Sequence, residues 1–419
     1  MLRTVIGGLV LVSGAALAFG CDDTMTIGER EAGGSGGEAG DAFEVGMVAT
    51  GGVKTTGGAP STGGAVAAGG ATDTGEEFMG EAGHAGAPAS PEVTCEGTGQ
   101  RLFANAFATC LLSEDGTPVC WGSPTWTGQT PNEPLVSVSI GQDAACGLAP
   151  DCRVICWGPG PQSVPPAVLY ARQVVVTEDV SCALGLDQRA QCWGQSFSDE
   201  RYASYEFSAL FQGESVCGIL GANEADAGGA LCWGSLPAAL SPQPGPFVEL
   251  GSADHACGLL ENGELRCWGN TAYGATEAPS GEFQSVITGD SHFSCALDAD
   301  GHATCWGSMY FEDEDPAVLE APSDEFAALV AGTAHVCGLT TDGQARCWGY
   351  GVRSDERADV PYFGQASPPD GEFTELAAGY WHTCGLRSDG SVECWGAGEP
   401  ADPVNGNGAH QGQSDPPEL

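Results

Sequence analysis

The stretch His382-Thr-Cys-Gly-Leu-Arg-Ser-Asp-Gly-Ser-Val-Glu-Cys-Trp-Gly396 is one of eight related copies in this chain of 419 residues. In seven copies the second cysteine follows the first by ten positions and precedes Trp-Gly. These seven pairs are Cys110 with Cys120, Cys146 with Cys156, Cys182 with Cys192, Cys257 with Cys267, Cys295 with Cys305, Cys337 with Cys347, and Cys384 with Cys394. The eighth pair, Cys217 and Cys232, carries a five-residue insertion. A fixed internal period predicts a repeat architecture in which each copy is one structural unit.

Each copy has the pattern of a β-hairpin. Ser388-Asp389-Gly390 is a three-residue loop, whose last position favours glycine because it is left-handed. This register sets Cys384 opposite Cys394 as a non-hydrogen-bonded pair with Cα atoms about 4.5 Å apart. A disulfide tolerates that spacing only at its short end. Cys152 and Gln188 replace the glycine in the second and third copies, so the glycine rule does not predict those two turns.

The same register leaves both faces of the hairpin apolar. A leucine or isoleucine shares the face of the first cysteine, and the tryptophan lies on the other face. The residue opposite each tryptophan is small: Thr109, Ala145, Ser181, Val216, Ala256, Ser294, Val336 or Thr383. Each hairpin needs cover on both sides, which a propeller provides. We therefore predict an all-β fold, a closed β-propeller of seven or eight blades built from repeats of about 39 residues.

The cysteines are better suited to disulfides than to metal. Structural zinc sites use cysteines two to four residues apart, whereas nine residues separate the members of these pairs. Cys95 and Cys152 can form a ninth pair, which leaves Cys21 as the odd one of 19 cysteines. Disulfides also fit the export that the N-terminus predicts.

The first twenty residues are typical of a secretory signal, with Arg3 before a short apolar run. Ala18-Phe19-Gly20-Cys21 resembles a bacterial lipobox, although Leu is usual in place of Ala18 and a small residue in place of Phe19. Ordinary cleavage after Ala18 is the alternative. The unpaired Cys21 favours lipidation, and hence a place on the outer membrane or surface of a bacterial envelope; otherwise the protein is secreted.

The chain divides into four predicted segments. Residues 1–20 are the signal peptide, 21–94 a disordered Gly/Ala-rich tether, 95–396 the propeller and 397–419 a disordered tail. The formal net charge of −43 disfavours nucleic acid as a partner, because such a surface repels phosphates.

At this point the copies resemble a known family. His382-Thr-x-x-Leu, Asp-Gly and Trp-Gly396 form the pattern of the regulator of chromosome condensation repeat, and Trp268-Gly269-Asn270 and Gly128-Gln129 are similar to its continuation. The resemblance covers about residues 97–396 and implies a β-propeller, usually of seven blades. The short repeats are similar to those of bacterial members such as the β-lactamase-inhibitory propeller, whose blades have about three strands. The family name also implies guanine-nucleotide exchange, which the export signal and acidic surface oppose.

Candidate ligand-binding side chains are few. His255, His335 and His382 share one repeat position and could form a metal ring, but four repeats lack the residue and His292 is offset by one. Local hydrogen bonding within each blade is the expected role. The acidic run 312–315 could hold calcium, but a solvated loop is expected because the spacing of oxygen ligands is absent. No catalytic, metal or cofactor motif appears.

These observations favour a non-enzymatic, lipid-anchored binding scaffold. It would act as a monomer on a protein or glycan ligand outside the cell or in the periplasm, touching the membrane only through its lipid. Variable loops between blades would carry binding, for instance residues 195–205, 223–229 and 310–317. The alternative is a secreted propeller hydrolase or lyase, which three or more loop carboxylates or histidines clustered at one mouth would favour.

Overall fold

The computed structural model describes residues 94–95, 97–105, 107–123, 126–194, 201–234, 242–309, 319–350, 363–397 and 412–417. The predicted signal, nearly all of the tether and Cys21 lie outside the described residues. No helix within the described ranges is long and apolar enough to cross a membrane.

The described chain forms eight antiparallel sheets of three strands, each built from consecutive strands. We number these sheets as blades 1 to 8. Blade 1 contains β1 (Leu102–Asn105), β2 (Ala108–Leu112) and β3 (Pro118–Gly122); blade 2, β4 (Ser137–Ile140), β5 (Ala145–Leu148) and β6 (Val154–Trp157); blade 3, β7 (Ala171–Val176), β8 (Val180–Gly185) and β9 (Ala190–Gly194); blade 4, β10 (Phe207–Phe211), β11 (Ser215–Leu220) and β12 (Ala230–Gly234). Blade 5 contains β13 (Phe247–Ser252), β14 (His255–Leu260) and β15 (Leu265–Gly269); blade 6, β16 (Phe283–Gly289), β17 (Phe293–Asp298) and β18 (Ala303–Gly307); blade 7, β19 (Phe326–Ala331), β20 (His335–Thr340) and β21 (Ala345–Gly349); blade 8, β22 (Glu375–Ala378), β23 (His382–Leu386) and β24 (Val392–Gly396). Short 3-10 helices in the connections between blades span Thr127–Gln129, Pro161–Ser163, Arg201–Ser204 and Ala272–Gly274.

The eight blades close into a ring. The first strand of every blade contacts the first strand of the next, and β22 of blade 8 returns to β1 of blade 1. Leu102 and Trp121 of blade 1 share a core with Cys384 of blade 8. The backbone N–H groups of Arg101 and Leu102 donate to the Glu375 carboxylate at 3.1 and 2.9 Å. The prediction of a closed propeller is confirmed, and the chain has eight blades rather than the seven that are usual in the family.

The hairpin register is the predicted one in all eight blades. Every cysteine pair is directly opposed, and every tryptophan faces its small partner, as in Thr383 opposite Trp395. Each blade has one hairpin disulfide, and a ninth bridge joins Cys95 to Cys152. The hairpin disulfides join Cys110 to Cys120, Cys146 to Cys156, Cys182 to Cys192, Cys217 to Cys232, Cys257 to Cys267, Cys295 to Cys305, Cys337 to Cys347 and Cys384 to Cys394.

Two properties of the hairpin disulfides differ from the simple expectation. Their Cα atoms lie 4.0–4.1 Å apart, closer than the expected 4.5 Å and just below the usual range for a disulfide. The two cysteines of a pair are also unequally buried. The first cysteine is fully buried in every blade, because it lies on the middle strand. The second lies on the third, outer strand and is only partly buried in six blades, as Cys120, Cys156, Cys192, Cys267, Cys305 and Cys347. This many disulfides indicates an extracellular or oxidising environment.

Two features of the repeat become clear only in three dimensions. The hairpin turns without glycine keep the same geometry, since Cys152 and Gln188 adopt φ values of 67° and 68°. The glycine of Cys-Trp-Gly has positive φ in all eight blades, and it ends the third strand in every blade except blade 2, where the strand ends at Trp157. At Gly122 a Cβ would lie 2.3 Å from the carbonyl oxygen of Phe107, so this position excludes any side chain.

Part of the predicted disordered tail is packed against the propeller. Residues 412–417 are described, and Gln413 is fully buried. Its carbonyl oxygen accepts a hydrogen bond from Trp121 Nε1 at 3.0 Å. In blades 3 and 8 the tryptophan N–H donates in the same way to Gln162 and Gln365, which precede those blades in the chain. Gln413 thus supplies to blade 1 the contact that a preceding connection supplies elsewhere, which is why this segment is packed.

Candidate functional site at one mouth of the channel

The turns that join the first and second strands of the blades meet at one mouth of the central channel. Four consecutive blades each bring a half-buried carboxylate there: Glu178, Glu214, Asp254 and Asp290 from blades 3 to 6. Their charges act on one another: those of Glu214 and Asp254 act on Asp290, and that of Glu178 acts on Glu214. We call these four carboxylates, together with Tyr380 of blade 8, the acidic mouth.

Asp290 is the most deeply embedded carboxylate of the acidic mouth. Its Oδ2 accepts a hydrogen bond from Thr333 Oγ1 at 3.2 Å. Its Oδ1 is buried and has no hydrogen-bond partner among the described residues. Burial, and then the charge of Glu214, raises the pKa of Asp290 well above its usual value. Burial also raises the pKa of Glu214 to about 7, with the charge of Asp254 adding to the effect.

Tyr380 reaches the same place from the far side of the ring. Its side chain is 2% exposed, and its ring packs edge-on against Phe107 with centroids 5.5 Å apart. Its hydroxyl has no hydrogen-bond partner in the described part of the chain. Burial raises the pKa of Tyr380 well above its usual value, and the charges of Asp290, Glu178 and Glu214 raise it further. The charges of carboxylates from blades 3, 4 and 6 therefore act on a hydroxyl from blade 8.

Asp254 differs from its three neighbours because it is fully hydrogen-bonded. Its oxygens accept from His255 Nδ1 at 2.8 Å, from Asn270 Nδ2 at 2.9 Å and from His292 Nδ1. Burial acts to raise the pKa of Asp254, but the hydrogen bonds from His255 and His292 outweigh it and hold the pKa well below its usual range. Asp254 is thus the permanently charged member of the acidic mouth.

The histidines singled out in the sequence do not form a metal ring. His255 Nε2 contacts Ser294 Oγ at 2.7 Å, His335 Nε2 contacts Thr383 Oγ1 at 2.8 Å, and His382 Nε2 contacts Thr109 Oγ1 at 2.8 Å. Each of these hydroxyl groups belongs to the blade that follows the histidine. The hydroxyl residue lies opposite the tryptophan of its own blade, and its side chain contacts the histidine of the preceding blade. The expected bonding within the blade is therefore wrong for His335 and His382, whereas His255 also contacts Asp254 of its own blade. No group of three possible metal ligands occurs among the described residues.

Two cavities lie along the innermost strands. One of about 340 Å³ has a mostly apolar lining with a few polar side chains, which include Ser139, Gln173 and Gln212. The other, of about 240 Å³, lies between blades 7, 8 and 1 and includes Glu375 and Gln100. None of the four carboxylates lines either cavity, so the charged groups and the enclosed volume are separate features of the channel.

The loops predicted to carry binding are only partly described. Residues 195–200 and 310–318, and with them the acidic run 312–315, lie outside the described residues. Residues 223–229 join β11 to β12 within blade 4 instead of connecting two blades. They lie at the opposite end of the blade from the acidic mouth, because one strand separates the two turns.

A sequence signal for part of the acidic mouth existed and was missed. Alignment of the repeats on their first cysteine puts an acidic residue three positions earlier in four consecutive copies: Asp143, Asp179, Glu214 and Asp254. These positions fall in the turns that meet at the channel. The signal was hidden because 56 acidic residues make any single carboxylate unremarkable.

Several solved structures are similar to this chain. The ectodomain of the receptor kinase CR4 from Physcomitrella patens is 25% identical over 65% of this chain and 76% of its own, with a TM-score of 0.48. The CRINKLY WD40 ectodomain of the Arabidopsis thaliana receptor kinase ACR4 is 22% identical over 64% of this chain and 97% of its own, with a TM-score of 0.47. Prp20p from Saccharomyces cerevisiae is 20% identical over 63% of this chain and 72% of its own, with a TM-score of 0.39. No curated protein matches the chain in sequence.

Three segments match the Regulator of chromosome condensation (RCC1) repeat: residues 248–275, 326–354 and 373–399. They fall on blades 5, 7 and 8, and each begins in or next to a first strand and runs past Cys-Trp-Gly. The other five blades have the same three strands, cysteine bridge and tryptophan register. Blades 5, 7 and 8 therefore carry segments that match the regulator of chromosome condensation repeat, and the other five blades share their architecture.

Proposed function

We propose that this protein is a non-catalytic binding scaffold that works outside the cytoplasm and takes its ligand at the acidic mouth. The observation that carries the proposal is the buried hydroxyl of Tyr380, which has no hydrogen-bond partner among the described residues and whose pKa the charges of Asp290 and Glu214 raise. Buried polar groups normally have partners, and at Tyr380 an unpartnered hydroxyl coincides with carboxylates whose charges act on it, which supports a ligand site at this place. The eight hairpin disulfides and the closed ring hold these groups in fixed positions.

The place of action follows from the N-terminus. We propose that export releases the chain at the signal and that a lipid on Cys21 anchors it to a bacterial envelope. Residues 22–94 would then form the spacer between the anchor and the propeller, and the ligand would be a protein or glycan of the envelope or its surroundings. Labelling with a fatty-acid analogue tests the anchor: we expect label on the full chain and none on a Cys21→Ser variant. Equal labelling of both would contradict lipidation.

Saturable binding to envelope material is the test of the scaffold function. Fluorescently labelled protein should bind envelope fractions, and an excess of unlabelled protein should compete with it. Protein that has been reduced and alkylated provides the control, since it loses the disulfides that hold the blades. Binding that never saturates, or that reduced protein reproduces, would contradict a folded scaffold.

One observation favours the enzymatic alternative and gives it a specific form. The pKa of Glu214 is raised to about 7 while that of Asp254 is lowered, and two carboxylates with divergent pKa values can divide acid and base roles. The experiment is a hydrolysis screen over glycans and esters with wild-type protein and Glu214→Gln. We expect no turnover by either. Turnover that Glu214→Gln abolishes would replace the scaffold with a hydrolase.

A further inference from the structure

Within the described residues, Asp254 is the member of the acidic mouth that pairs directly with basic side chains. That carboxylate is hydrogen-bonded to two histidines, one of which, His292, also acts on Glu214 more weakly than the neighbouring carboxylates do. The arginine ion pairs of the described chain lie elsewhere, at Glu133, Asp151, Glu206, Asp324 and Glu393. Glu178, Glu214 and Asp290 are therefore partly desolvated carboxyl groups that no arginine of the described chain pairs with, and their raised pKa values mean that a bound cation would favour their charged forms.

Buried polar atoms without partners point to a ligand that donates hydrogen bonds. Asp290 Oδ1 can only accept while the carboxylate is charged, and the Tyr380 oxygen can both accept and donate. A ligand with N–H groups would satisfy both of these atoms.

The spacing of the carboxylates argues against a metal ion as that ligand. An ion such as calcium needs six or more oxygens within about 2.6 Å. The described residues bring no three carboxylates or histidines close enough to share one ion. The charge is spread over turns of four blades instead, which suits a cation whose donors are themselves spread out. A guanidinium group has five N–H donors in a fixed plane.

We propose that the acidic mouth binds an organic cation of the guanidinium or ammonium class, either as a free molecule or as a basic side chain of a partner. This inference rests on the proposed scaffold function and names the chemistry of its ligand. Asp290 and Glu214 ionise as the cation binds and then supply the charge, and Tyr380 supplies a neutral hydrogen-bonding group. The net charge of −43 draws such ligands toward the protein from a distance.

The binding experiment uses the full chain and two probes that distinguish the sources. Agmatine represents a free guanidinium, and a blocked Gly-Arg-Gly peptide represents a basic side chain on a chain. Isothermal titration at 20 mM salt should give saturable binding of one or both, weakening severalfold at 150 mM salt. Repeating the titration in two buffers of different ionisation enthalpy should reveal proton release at pH 7, because a bound cation stabilises the charged form of Glu214.

Matched variants decide whether the binding is specific to this place. Asp290→Asn removes the carboxyl group that ionises on binding and should weaken binding at least tenfold, and Tyr380→Phe removes only the hydroxyl and should weaken it severalfold. Glu282→Gln removes a carboxyl group from an exposed position and should change affinity less than twofold. No saturable binding of either probe, equal losses in Asp290→Asn and Glu282→Gln, or displacement of the probe by calcium at equal concentration would each overturn the inference.

The variants also separate this inference from the scaffold proposal. If wild-type protein and Asp290→Asn bind envelope fractions equally well, the scaffold stands and the cation site is wrong. If the probes bind as expected but envelope fractions do not, the site stands and the scaffold proposal is wrong. Circular dichroism and thermal unfolding of each variant ensure that losses of binding are not losses of fold.

Discussion

His382 Nε2 of blade 8 lies 2.8 Å from Thr109 Oγ1 of blade 1, and both side chains are fully buried where the ring closes. The same contact joins blade 7 to blade 8 through His335 and Thr383, and blade 5 to blade 6 through His255 and Ser294. Each histidine is thus a link to the following blade. The closing contact differs from the others because the two residues lie 273 positions apart in the chain.

The chain follows an internal rule at this interface. Where a blade has the histidine, the next blade has a hydroxyl opposite its tryptophan. Where the histidine is replaced by another residue, the next blade usually has Ala or Val there, as with Phe293 before Val336. The exception is Ser181, whose hydroxyl donates to the carbonyl of Gln162 instead. Polar and apolar versions of one interface therefore occur in one ring.

The rule predicts a coupled pair at the closing interface. Thr109→Val should lower the free energy of unfolding by about 1–3 kcal/mol, because it leaves the buried His382 nitrogen without a partner. Adding His382→Phe, which copies the Phe293 and Val336 arrangement, should recover part of that loss. Urea unfolding with disulfides intact gives the coupling energy of the double-mutant cycle. Additive effects of the two substitutions would contradict a direct link.

The buried histidines also set how stability depends on acid. Burial lowers the pKa of His335 and His382 from 6.5 to about 3. Between pH 6.5 and pH 3 these two histidines are therefore protonated in the unfolded chain and neutral in the folded chain. The contribution of each histidine to the free energy of unfolding is complete above pH 6.5. It falls by about 1.4 kcal/mol per pH unit as the pH drops from 6.5 toward 3.

The double variant His382→Phe with Thr109→Val provides the measurement for that dependence. Urea unfolding at intervals between pH 7 and pH 4 should show a shallower loss of stability in the variant than in the wild type. His302→Phe is the control, since that histidine is exposed and pairs only with Asp298. Parallel curves for wild type and the double variant would show that His382 does not contribute.

Glu249 has the opposite dependence on pH. Its Oε2 accepts a hydrogen bond from the Val286 N–H of the next blade, and burial raises its pKa from 4.5 to about 7. The folded state thus holds the proton more tightly, and the Glu249 contribution to stability grows as pH falls from about 7 to 4.5. Gln173 fills the equivalent position in blade 3, where it accepts from the Leu210 N–H without carrying a charge.

Glu249→Gln should therefore stabilise the protein at pH 8 by about 1–3 kcal/mol. The glutamine keeps an acceptor for Val286 and removes a desolvated charge. At pH 4.5 the advantage should vanish, because wild-type Glu249 is then protonated. Glu261→Gln, at an exposed position of the same blade, controls for the change in net charge. A constant advantage across this pH range would show that the carboxyl is not buried as described.

The sequence predicted most of the structure within a blade, but little of how carboxylates from different blades meet at the acidic mouth. The reasons are physical. Register follows from local rules, so the pairing of Cys384 with Cys394 and of Thr383 with Trp395 could be derived from one loop glycine. The partner of His382 could not, since Thr109 comes beside it only when the ring closes. The convergence of Glu214 and Asp290 likewise depends on the number of blades and on which turns face the axis.

The C-terminal segment shows the same limit and gives the last prediction. Gly412-Gln413-Ser414 repeats the pattern of Gly364-Gln365-Ala366, which precedes blade 8, so the packing of this end could have been predicted from the repeat. A chain ending at His410 should lose about 2–4 kcal/mol of stability, because Trp121 Nε1 loses its acceptor and the indole loses cover. A chain ending at Asp415 retains Gln413 and should match the full length. Hydrogen exchange should place the loss at blades 1 and 8, where the ring closes. Equal stability of the two truncated chains would mean that Gln413 does not support the closed ring.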